Sequence, residues 1–258
     1  ESIVTQSYQN IELIVIDDGS PDNSYNVAKE FLENQKDNPN FSLITRPNKG
    51  MCNTLNEIAK SAKGKYISFV GSDDYWAASK IEDQAAFLEA NPDQVLVHSN
   101  SIKVDNDNKE LKEINYANKK NSGDLFEAFI YRTGGINTPS HLYRTAIYDE
   151  IGYYDPSFRF EDTDFWLRLS KHHSVGFINK AHTYYRWHGR NLSDGENALK
   201  FYNEELVKIY KKKIDDPKLK RYAVARMYKK SFWKALETFK FSIAWQYLGK
   251  LIKLRQQS

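Results

Sequence analysis

The sequence predicts an α/β fold: a mostly parallel sheet flanked by helices, followed by a C-terminal helical extension. Three observations predict it. Apolar, β-branched runs alternate with helical patterns, acidic turns follow two of those runs, and helical spacing continues to the C terminus. Strands that alternate with helices form right-handed βαβ units with parallel strands. A chain of 258 residues is long enough for one such domain and a small appendage.

The predicted elements follow one another regularly through the first hundred residues, after an opening segment typical of a helix end. The predicted strands are Ile11–Ile16, Phe41–Ile44, Lys65–Val70 and Gln94–His98, and the helices lie at about 21–35, Gly50–Ala62 and Ala77–Ala90. Residues 103–122 are rich in Asn, Asp and Lys, which indicates a loop or an edge hairpin. Further on we predict helices at Asp124–Tyr131 and Asp162–Lys171, strands near His141–Arg144 and Thr183–His188, and helices from Glu196 onward.

Composition excludes several classes of protein. No apolar run reaches eighteen residues, so the sequence predicts no membrane-spanning helix, and its first residues do not resemble a signal peptide. The single cysteine, Cys52, cannot form an internal disulfide, which favours a reducing, cytoplasmic location. There is no P-loop and no dinucleotide-binding glycine motif after a strand.

Two acidic pairs follow predicted strands: Asp17-Asp18 and Asp73-Asp74. Ligands of open α/β sheets bind outside the carboxyl ends of the strands, where parallel topology would bring both pairs. Carboxylates on loops suit Mg²⁺ or Mn²⁺, whereas zinc is disfavoured because no His/Cys cluster is present. The competing interpretation is that each aspartate only caps the next helix.

Four blocks occur in an order and spacing that resemble the GT-A fold, family 2 inverting glycosyltransferases, over residues 1 to about 195. The blocks are VIDDGS (15–20), NKG (48–50), GKYISFVGSDDYW (64–76) and EDTDFWLRL (161–169).

The resemblance implies roles for individual residues. It implies that Asp17, Asp18, Ser20, Asn48 and Asp74 bind a nucleotide-sugar donor, with Asp18 on the nucleobase. It implies Mn²⁺ or Mg²⁺ on Asp73, with His188 either a further ligand or a structural residue. Asp162 is implied as the general base that deprotonates the acceptor hydroxyl. Arg186 and Arg190 could neutralise phosphate or simply be surface residues.

Three departures from the family pattern bear on donor identity. We expect the chain to begin partway into the helix that follows the family's first strand. Gly71 stands where the family's Asp-x-Asp motif has its first acid, and Leu55 replaces the arginine usual after Asn-Lys-Gly. These departures leave a non-catalytic scaffold, or a nucleotidyltransferase, as alternatives to the enzyme that the resemblance implies.

The resemblance implies a metal-dependent, inverting transferase of bacterial surface-polysaccharide synthesis, with a UDP-sugar as the first donor candidate and a glycan or lipid-linked acceptor. We expect a catalytic domain over residues 1–195 and a basic amphipathic tail over 196–258. Residues 200–258 carry 16 Lys and Arg against 5 Asp and Glu, whereas residues 1–199 carry 21 against 29.

The tail also suggests partners. Its stripe of Phe241, Trp245, Leu248 and Ile252 predicts either peripheral contact with an anionic membrane at its cytoplasmic face, or packing on the catalytic domain or a second subunit. Nucleic-acid binding is not predicted, because no recognised module is present.

Overall fold

The structure is a computed structural model, which describes residues 1–35, 40–117, 121–131, 133–188, 191 and 203–256. The strands are β1 (Leu13–Asp17), β2 (Phe41–Thr45), β3 (Tyr66–Ile67), β4 (Tyr75–Trp76), β5 (Gln94–Val104), β6 (Glu110–Ile114), β7 (Leu142–Arg144) and β8 (Ser174–Arg186). The helices are α1 (Ser24–Glu33), α2 (Met51–Ser61), α3 (Lys80–Ala90), α4 (Phe126–Tyr131), α5 (Ile147–Ile151), α6 (Glu161–Ser170), α7 (Asn203–Lys213), α8 (Pro217–Glu237) and α9 (Phe241–Gln256). A 3-10 turn spans Thr138–Ser140.

The strands form two sheets. In the first, β1 and β2 are parallel, with Leu13 opposite Phe41 and Asp17 opposite Thr45. The second has the order β3-β7-β5-β8-β4, with β6 paired to β5. Strand β5 lies at its centre and is buried from Val95 to Ser101, as expected of a strand covered on both faces.

The predicted α/β class is confirmed, but the sheet is mixed rather than mostly parallel. Among the described residues only β1–β2 and β5–β8 pair in parallel; the pairings β3–β7, β4–β8, β5–β6 and β5–β7 are antiparallel. The reason lies in the connections. After the β5–β6 hairpin the chain returns through β7, which enters between β3 and β5, and the short β4 folds back on β8. The repeating strand–helix pattern at the N terminus did not reveal these reversals.

One buried apolar cluster joins the sheet to the C-terminal helices. It includes Leu96 of β5, Phe165 of α6, Tyr210 of α7 and Met227 of α8. At the start of helix α8, Pro217 occupies the first turn and the Asp216 side chain accepts a hydrogen bond from the Leu219 amide.

A buried ion pair joins helix α7 to helix α6. The Asp164 carboxylate has no solvent exposure and pairs with Arg168 at 2.9 Å and with Lys213, the last residue of α7, at 3.0 Å. The Glu205 carboxylate of α7 accepts a hydrogen bond from the backbone amide of Arg159, just before α6. The first tail helix therefore braces the helix whose first turn carries Asp162.

The two last helices form a hairpin whose predicted apolar stripe does not face the rest of the chain. Ala244 and Tyr247 of α9 are buried, whereas Phe241, Trp245 and Ile252 are at least half exposed. Intramolecular packing of that stripe, one of the two predicted alternatives, is therefore not what the structure shows. Within the described residues, no helix combines the length and the apolar character needed to cross a bilayer.

Candidate active site

The loops after β1 and β2 form a cradle around the Asp18 carboxylate. Asp18 accepts hydrogen bonds from the backbone amides of Lys49, at 3.0 Å, and Gly50, at 3.1 Å, and it contacts the Arg46 guanidinium. Partial burial raises the pKa of Asp18, but the bonds from Lys49, Thr54 and Arg46 outweigh that effect and leave the pKa below its usual value. The side chain is ionised at neutral pH and held in one orientation.

Arg46 is the buried counterion of this cradle. Its guanidinium also donates to Glu57 of α2 at 3.1 Å and to the Thr54 hydroxyl at 3.0 Å, and its side chain is only 10% exposed. The loop that follows β2 is thereby tied to both β1 and α2.

Of the other predicted donor residues, Asp17, Ser20 and Asn48 lie in the same two loops, whereas Asp74 lies at a second place. The Asp17 carboxylate accepts from the Ser20 amide and from the Thr45 hydroxyl, which lies opposite it across the β1–β2 pair. The bond to Ser20 lowers the pKa of Asp17. The Asn48 side-chain oxygen accepts from the Gly50 amide at 3.0 Å. These contacts put Asp17, Asp18, Ser20 and Asn48 at one edge of the sheet.

Asp73, Asp74 and His188 meet at a second place. Antiparallel pairing of β4 with β8 sets Tyr75 opposite Tyr184, so the residues before β4 lie beside those after β8. The Asp73 carboxylate lies 3.6 Å from the Nε2 atom of His188. Asp74 accepts a hydrogen bond from the Arg186 amide at 2.8 Å, and burial, followed by the Asp73 charge, raises the pKa of Asp74 to about 6.

Arg186 and Asn191 make hydrogen bonds that fix the backbone around Asp73 and His188. The Arg186 guanidinium donates to the carbonyls of Asp73 and Asp105 and to the Asn108 side chain, and these bonds engage each of its nitrogens. This geometry favours neither of the two roles left open for Arg186, phosphate neutralisation or a solvated surface position, because the guanidinium is engaged within the chain. Asn191 accepts from the His188 amide and donates to the Arg186 carbonyl.

Asp162 lies in the first turn of α6. Its carboxylate accepts hydrogen bonds from the hydroxyls of Thr138 and Thr163, each at 3.0 Å. Burial, and next the charge of Asp162, raises the pKa of the adjacent Glu161 to about 7. The helix N-terminus favours negative charge at this position.

Hydrogen bonds tie the cradle to the Asp162 region. The Asn56 side chain of α2 donates to the Tyr154 carbonyl and accepts from the Tyr154 amide. The Cys52 thiol donates to the Phe158 carbonyl, three residues before α6.

A buried lysine ties the Asp162 region to the loop that carries Asp73. Lys80 Nζ donates to the Ser68 hydroxyl at 2.9 Å and to the His141 carbonyl at 3.1 Å. His141 directly follows the 3-10 turn that contains Thr138, the partner of Asp162. The Asp18 cradle, the segment that carries Asp73 and the Asp162 region therefore share one hydrogen-bonded frame.

The family model described as "Glycosyl transferase family 2" matches residues 1–152, more than half of the chain. The chain belongs to glycosyl transferase family 2. The predicted family is confirmed, and the chain is a family 2 glycosyltransferase domain.

Several named relatives resemble this family 2 domain. An Escherichia coli protein, UDP-Glc:alpha-D-GlcNAc-diphosphoundecaprenol beta-1,3-glucosyltransferase WfaP, is 29% identical over 197 residues, 75% of this chain and 72% of that one. An uncharacterized glycosyltransferase of Rickettsia bellii is 28% identical over 223 residues, which cover 86% of this chain. The domain spans about a third of the length of the Rickettsia bellii and Rickettsia felis relatives, at 31% and 35%.

Solved structures share the fold. The S. aureus TarS fragment 1–349 in complex with UDP-GlcNAc has a TM-score of 0.69 at 18% identity and covers 98% of this chain and 75% of its own. Mannosyltransferase PcManGT from Pyrobaculum calidifontis, in complex with GDP-Man and Mn²⁺, has a TM-score of 0.64 at 13% identity, over 98% of this chain and 69% of its own. These likenesses confirm the GT-A fold predicted from the sequence.

The residues around Asp73 fit a divalent cation. Carboxylate oxygen and imidazole nitrogen are ligands that Mn²⁺ accepts, and their 3.6 Å separation is less than twice a metal–ligand bond of about 2.1 Å. A side chain at Gly71 would meet the Asp73 carboxylate at 2.7 Å, so this glycine leaves room for it. Within the described residues no group of three or more His, Cys, Asp or Glu is placed to hold a metal.

Sequence reasoning predicted the carboxylates of this candidate site but not the basic residues that hold them. Arg46 and Lys80 were not predicted as site residues, because a single basic residue carries no local signal of its partner. Arg190, for which phosphate neutralisation and a surface position were both left open, lies outside the described residues.

Proposed function

We propose that this domain transfers a sugar from a nucleotide-sugar donor, a UDP-sugar first among the candidates, to a hydroxyl of a glycan or lipid-linked acceptor, with inversion at the anomeric carbon. The observation that carries the proposal is the shared frame that holds the Asp18 cradle, the Asp73–His188 pair and Asp162. The Escherichia coli relative named for UDP-Glc, and the TarS structure with UDP-GlcNAc, support the choice of nucleotide.

Asp18 is suited to recognise the nucleobase. Its ionised carboxylate accepts only, so it can pair with an N–H of the base, and Arg46, Lys49 and Gly50 hold it at the end of β1. Because Arg46 and two backbone amides fix the carboxylate, binding the base costs little reorganisation.

Asp73 and His188 would hold a Mn²⁺ or Mg²⁺ ion, with Asp74 next to them. Such an ion would neutralise the donor diphosphate and the charge that develops on the leaving group. Arg186 helps to position both residues: its guanidinium donates to the Asp73 carbonyl, and its backbone amide donates to the Asp74 carboxylate. The structure of PcManGT in complex with GDP-Man and Mn²⁺ supports metal use in this fold.

Asp162 would act as the general base. Its carboxylate takes the proton of the acceptor hydroxyl while that oxygen forms the new bond to the anomeric carbon and the bond to the diphosphate oxygen breaks. The Thr138 and Thr163 hydroxyls each contact one of its oxygens and so fix the plane of the carboxylate. Attack from the side opposite the leaving group inverts the configuration.

We further propose that residues 1–195 form the catalytic part and 196–258 a tail that binds to it, and that the protein works in bacterial surface-polysaccharide synthesis at the cytoplasmic side of the cell membrane. The Escherichia coli relative, which is named for a diphosphoundecaprenol-linked acceptor, supports a lipid-linked acceptor.

The test is Asp162→Asn, compared with wild type and with the exposed control Asp93→Asn. We expect the transfer rate with UDP-sugars to fall by about 10²–10⁴-fold in the Asp162 variant, as for loss of a general base, while calorimetric affinity for UDP with Mn²⁺ is unchanged. The control should match wild type in both measurements.

Three results would contradict the proposal. They are the absence of binding by UDP, GDP, CDP and dTDP with Mn²⁺, an unchanged transfer rate in the Asp162 variant, and release of pyrophosphate from a nucleoside triphosphate. The last would indicate nucleotidyl transfer instead.

A further inference from the structure

The hairpin of α8 and α9 carries a one-sided charge. Residues 217–256 contain eleven Lys and Arg but a single acid, Glu237. Within the described residues, that acid pairs with Lys234 at 3.6 Å, and Lys250 pairs with Glu204 of α7 at 3.2 Å. Most of the positive charge of the hairpin therefore has no acid of the hairpin to neutralise it.

The same hairpin exposes large apolar side chains, which we call the aromatic face: Trp233 (61% exposed), Phe239 (80%), Phe241 (57%), Trp245 (71%) and Ile252 (50%). Phe241, Trp245 and Ile252 recur at helical spacing on one side of α9. Phe239 lies in the turn between the helices with a φ of 56°, a strained conformation for a non-glycine residue, and its ring is 6.5 Å from that of Phe241.

A basic groove continues from the aromatic face. A cavity of about 330 Å³ between the helices is lined by Lys218, Arg221, Lys229 and Arg255 over an apolar floor that includes Leu251. An adjoining cavity of about 400 Å³ shares Lys218 and Arg221 and adds Lys211 and Lys220, and no acidic residue of the described part of the chain lines either cavity.

Helical spacing shows that the groove and the aromatic face adjoin. Trp233 follows Lys229 by one turn of α8, and Ile252 precedes Arg255 by one turn of α9. Aromatic side chains beside basic ones are what an anionic membrane interface attracts, since the rings enter the headgroup region and the cations meet phosphates.

From this juxtaposition, we propose that the hairpin docks on an anionic phospholipid bilayer, with the aromatic face inserted at the interface and the basic groove on the lipid phosphates. Its use, to bring the active site to a lipid-linked acceptor, rests on the proposed function; the binding itself does not. A second copy of the chain fits this surface less well, because a symmetric contact would bring two strongly basic hairpins together.

The experiment is flotation of the full chain with vesicles of phosphatidylcholine alone and of phosphatidylcholine with one third phosphatidylglycerol. Trp233 and Trp245, the two most exposed tryptophans among the described residues, report insertion through a blue shift of their fluorescence. Trp76 and Trp166 are buried and Trp187 is partly buried, so the blue shift is assigned to Trp233 and Trp245 by its loss in the aromatic variant. The aromatic variant is Trp233→Ser/Trp245→Ser, with the exposed Leu111→Ser as its control. The charge variant is Lys229→Gln/Arg255→Gln, with exposed Lys29→Gln/Lys109→Gln as its control.

We expect binding to the anionic vesicles, with a blue shift, and a loss of about 30-fold in affinity for the charge variant. The aromatic variant should lose most binding, and both controls should bind as wild type does. Thermal unfolding checks that the variants fold, and titration with UDP and Mn²⁺ checks the active site separately.

Four results would overturn the proposal. They are absence of binding to anionic vesicles, equal binding to both compositions, variants that bind as wild type does, and a concentration-dependent dimer that the aromatic variant abolishes without any vesicle binding. Equally tight binding of duplex DNA, abolished by the charge variant, would indicate a nucleic-acid partner instead. Failure of UDP binding or transfer would leave the vesicle result unaffected.

Discussion

Lys80 provides a quantitative test of how the site is held together. Its side chain is completely buried, with its ammonium group 4.1 Å from the centre of the Trp76 ring. Burial lowers the pKa of Lys80 well below its usual value. Lys80→Met keeps the length of the side chain and removes the charge. The His141 carbonyl still accepts a hydrogen bond from the Ser68 hydroxyl in the variant, so no backbone acceptor is stranded.

The magnitude follows from proton linkage. When the folded-state pKa of a lysine is depressed, the unfolded chain binds one more proton between that pKa and about 10.4. Wild-type stability should therefore rise with pH across this interval relative to Lys80→Met, by about 1.4 kcal/mol per pH unit. Below the folded-state pKa the wild type bears the full cost of a buried charge, and the variant should be equally stable or more stable.

The assay is urea unfolding of wild type and Lys80→Met from neutral pH to about pH 10. Lys29→Met, on a half-exposed side chain of α1, controls for removal of a lysine charge as such. If the free energies of unfolding of wild type and Lys80→Met changed with pH in parallel, the reasoning would be refuted. If the variant were less stable by several kcal/mol at neutral pH, the hydrogen bonds of Lys80 would outweigh the cost of its desolvation.

Two further predictions concern charges beside the site. Arg46→Met should lower the free energy of unfolding in urea by about 2 kcal/mol, because it leaves Asp18 and Glu57 without their partly buried counterion. Calorimetry should also show weaker UDP binding. If both values were unchanged, Arg46 would not hold Asp18 in the way described. Glu161→Gln should gain stability over wild type by about 1.4 kcal/mol per pH unit as pH rises from about 4.5 to 7, since the raised folded-state pKa makes ionisation destabilising. A stability difference between variant and wild type that stays constant over this interval would contradict the raised pKa of the partly buried Glu161.

The sequence predicted those parts of the fold that local patterns encode. The strand near Ile11–Ile16 and the helix Gly50–Ala62 correspond closely to β1 and α2, since each has its own periodicity and turn residues. By contrast, β3 is limited to Tyr66–Ile67, and the two-residue β4 was not predicted. Elements of two residues exist only because a distant strand pairs with them, and no local pattern records that strand.

The candidate site divides in the same way. Carboxylates such as Asp18 and Asp73 could be predicted, because they follow strands and recur in a spaced set of blocks. Their fixed orientation could not, since it depends on Arg46, on Arg186 and on the register that sets Tyr75 opposite Tyr184. The aromatic stripe of α9 was predicted, but only the tertiary structure shows that Trp245 faces outward.

The buried pairing of Asp164 with Lys213 has a consequence for how such proteins could exchange parts. A chimera joined before α7 would separate the two charges and leave a carboxylate without its cation in the core, at a cost of about 3–5 kcal/mol. A junction at Asp215 or Asp216, exposed residues between α7 and α8, would keep that pair intact and move only the hairpin. Recombination within the family should therefore succeed more often at this junction, so that the hairpins can diversify while the Asp164–Lys213 pair stays with α6.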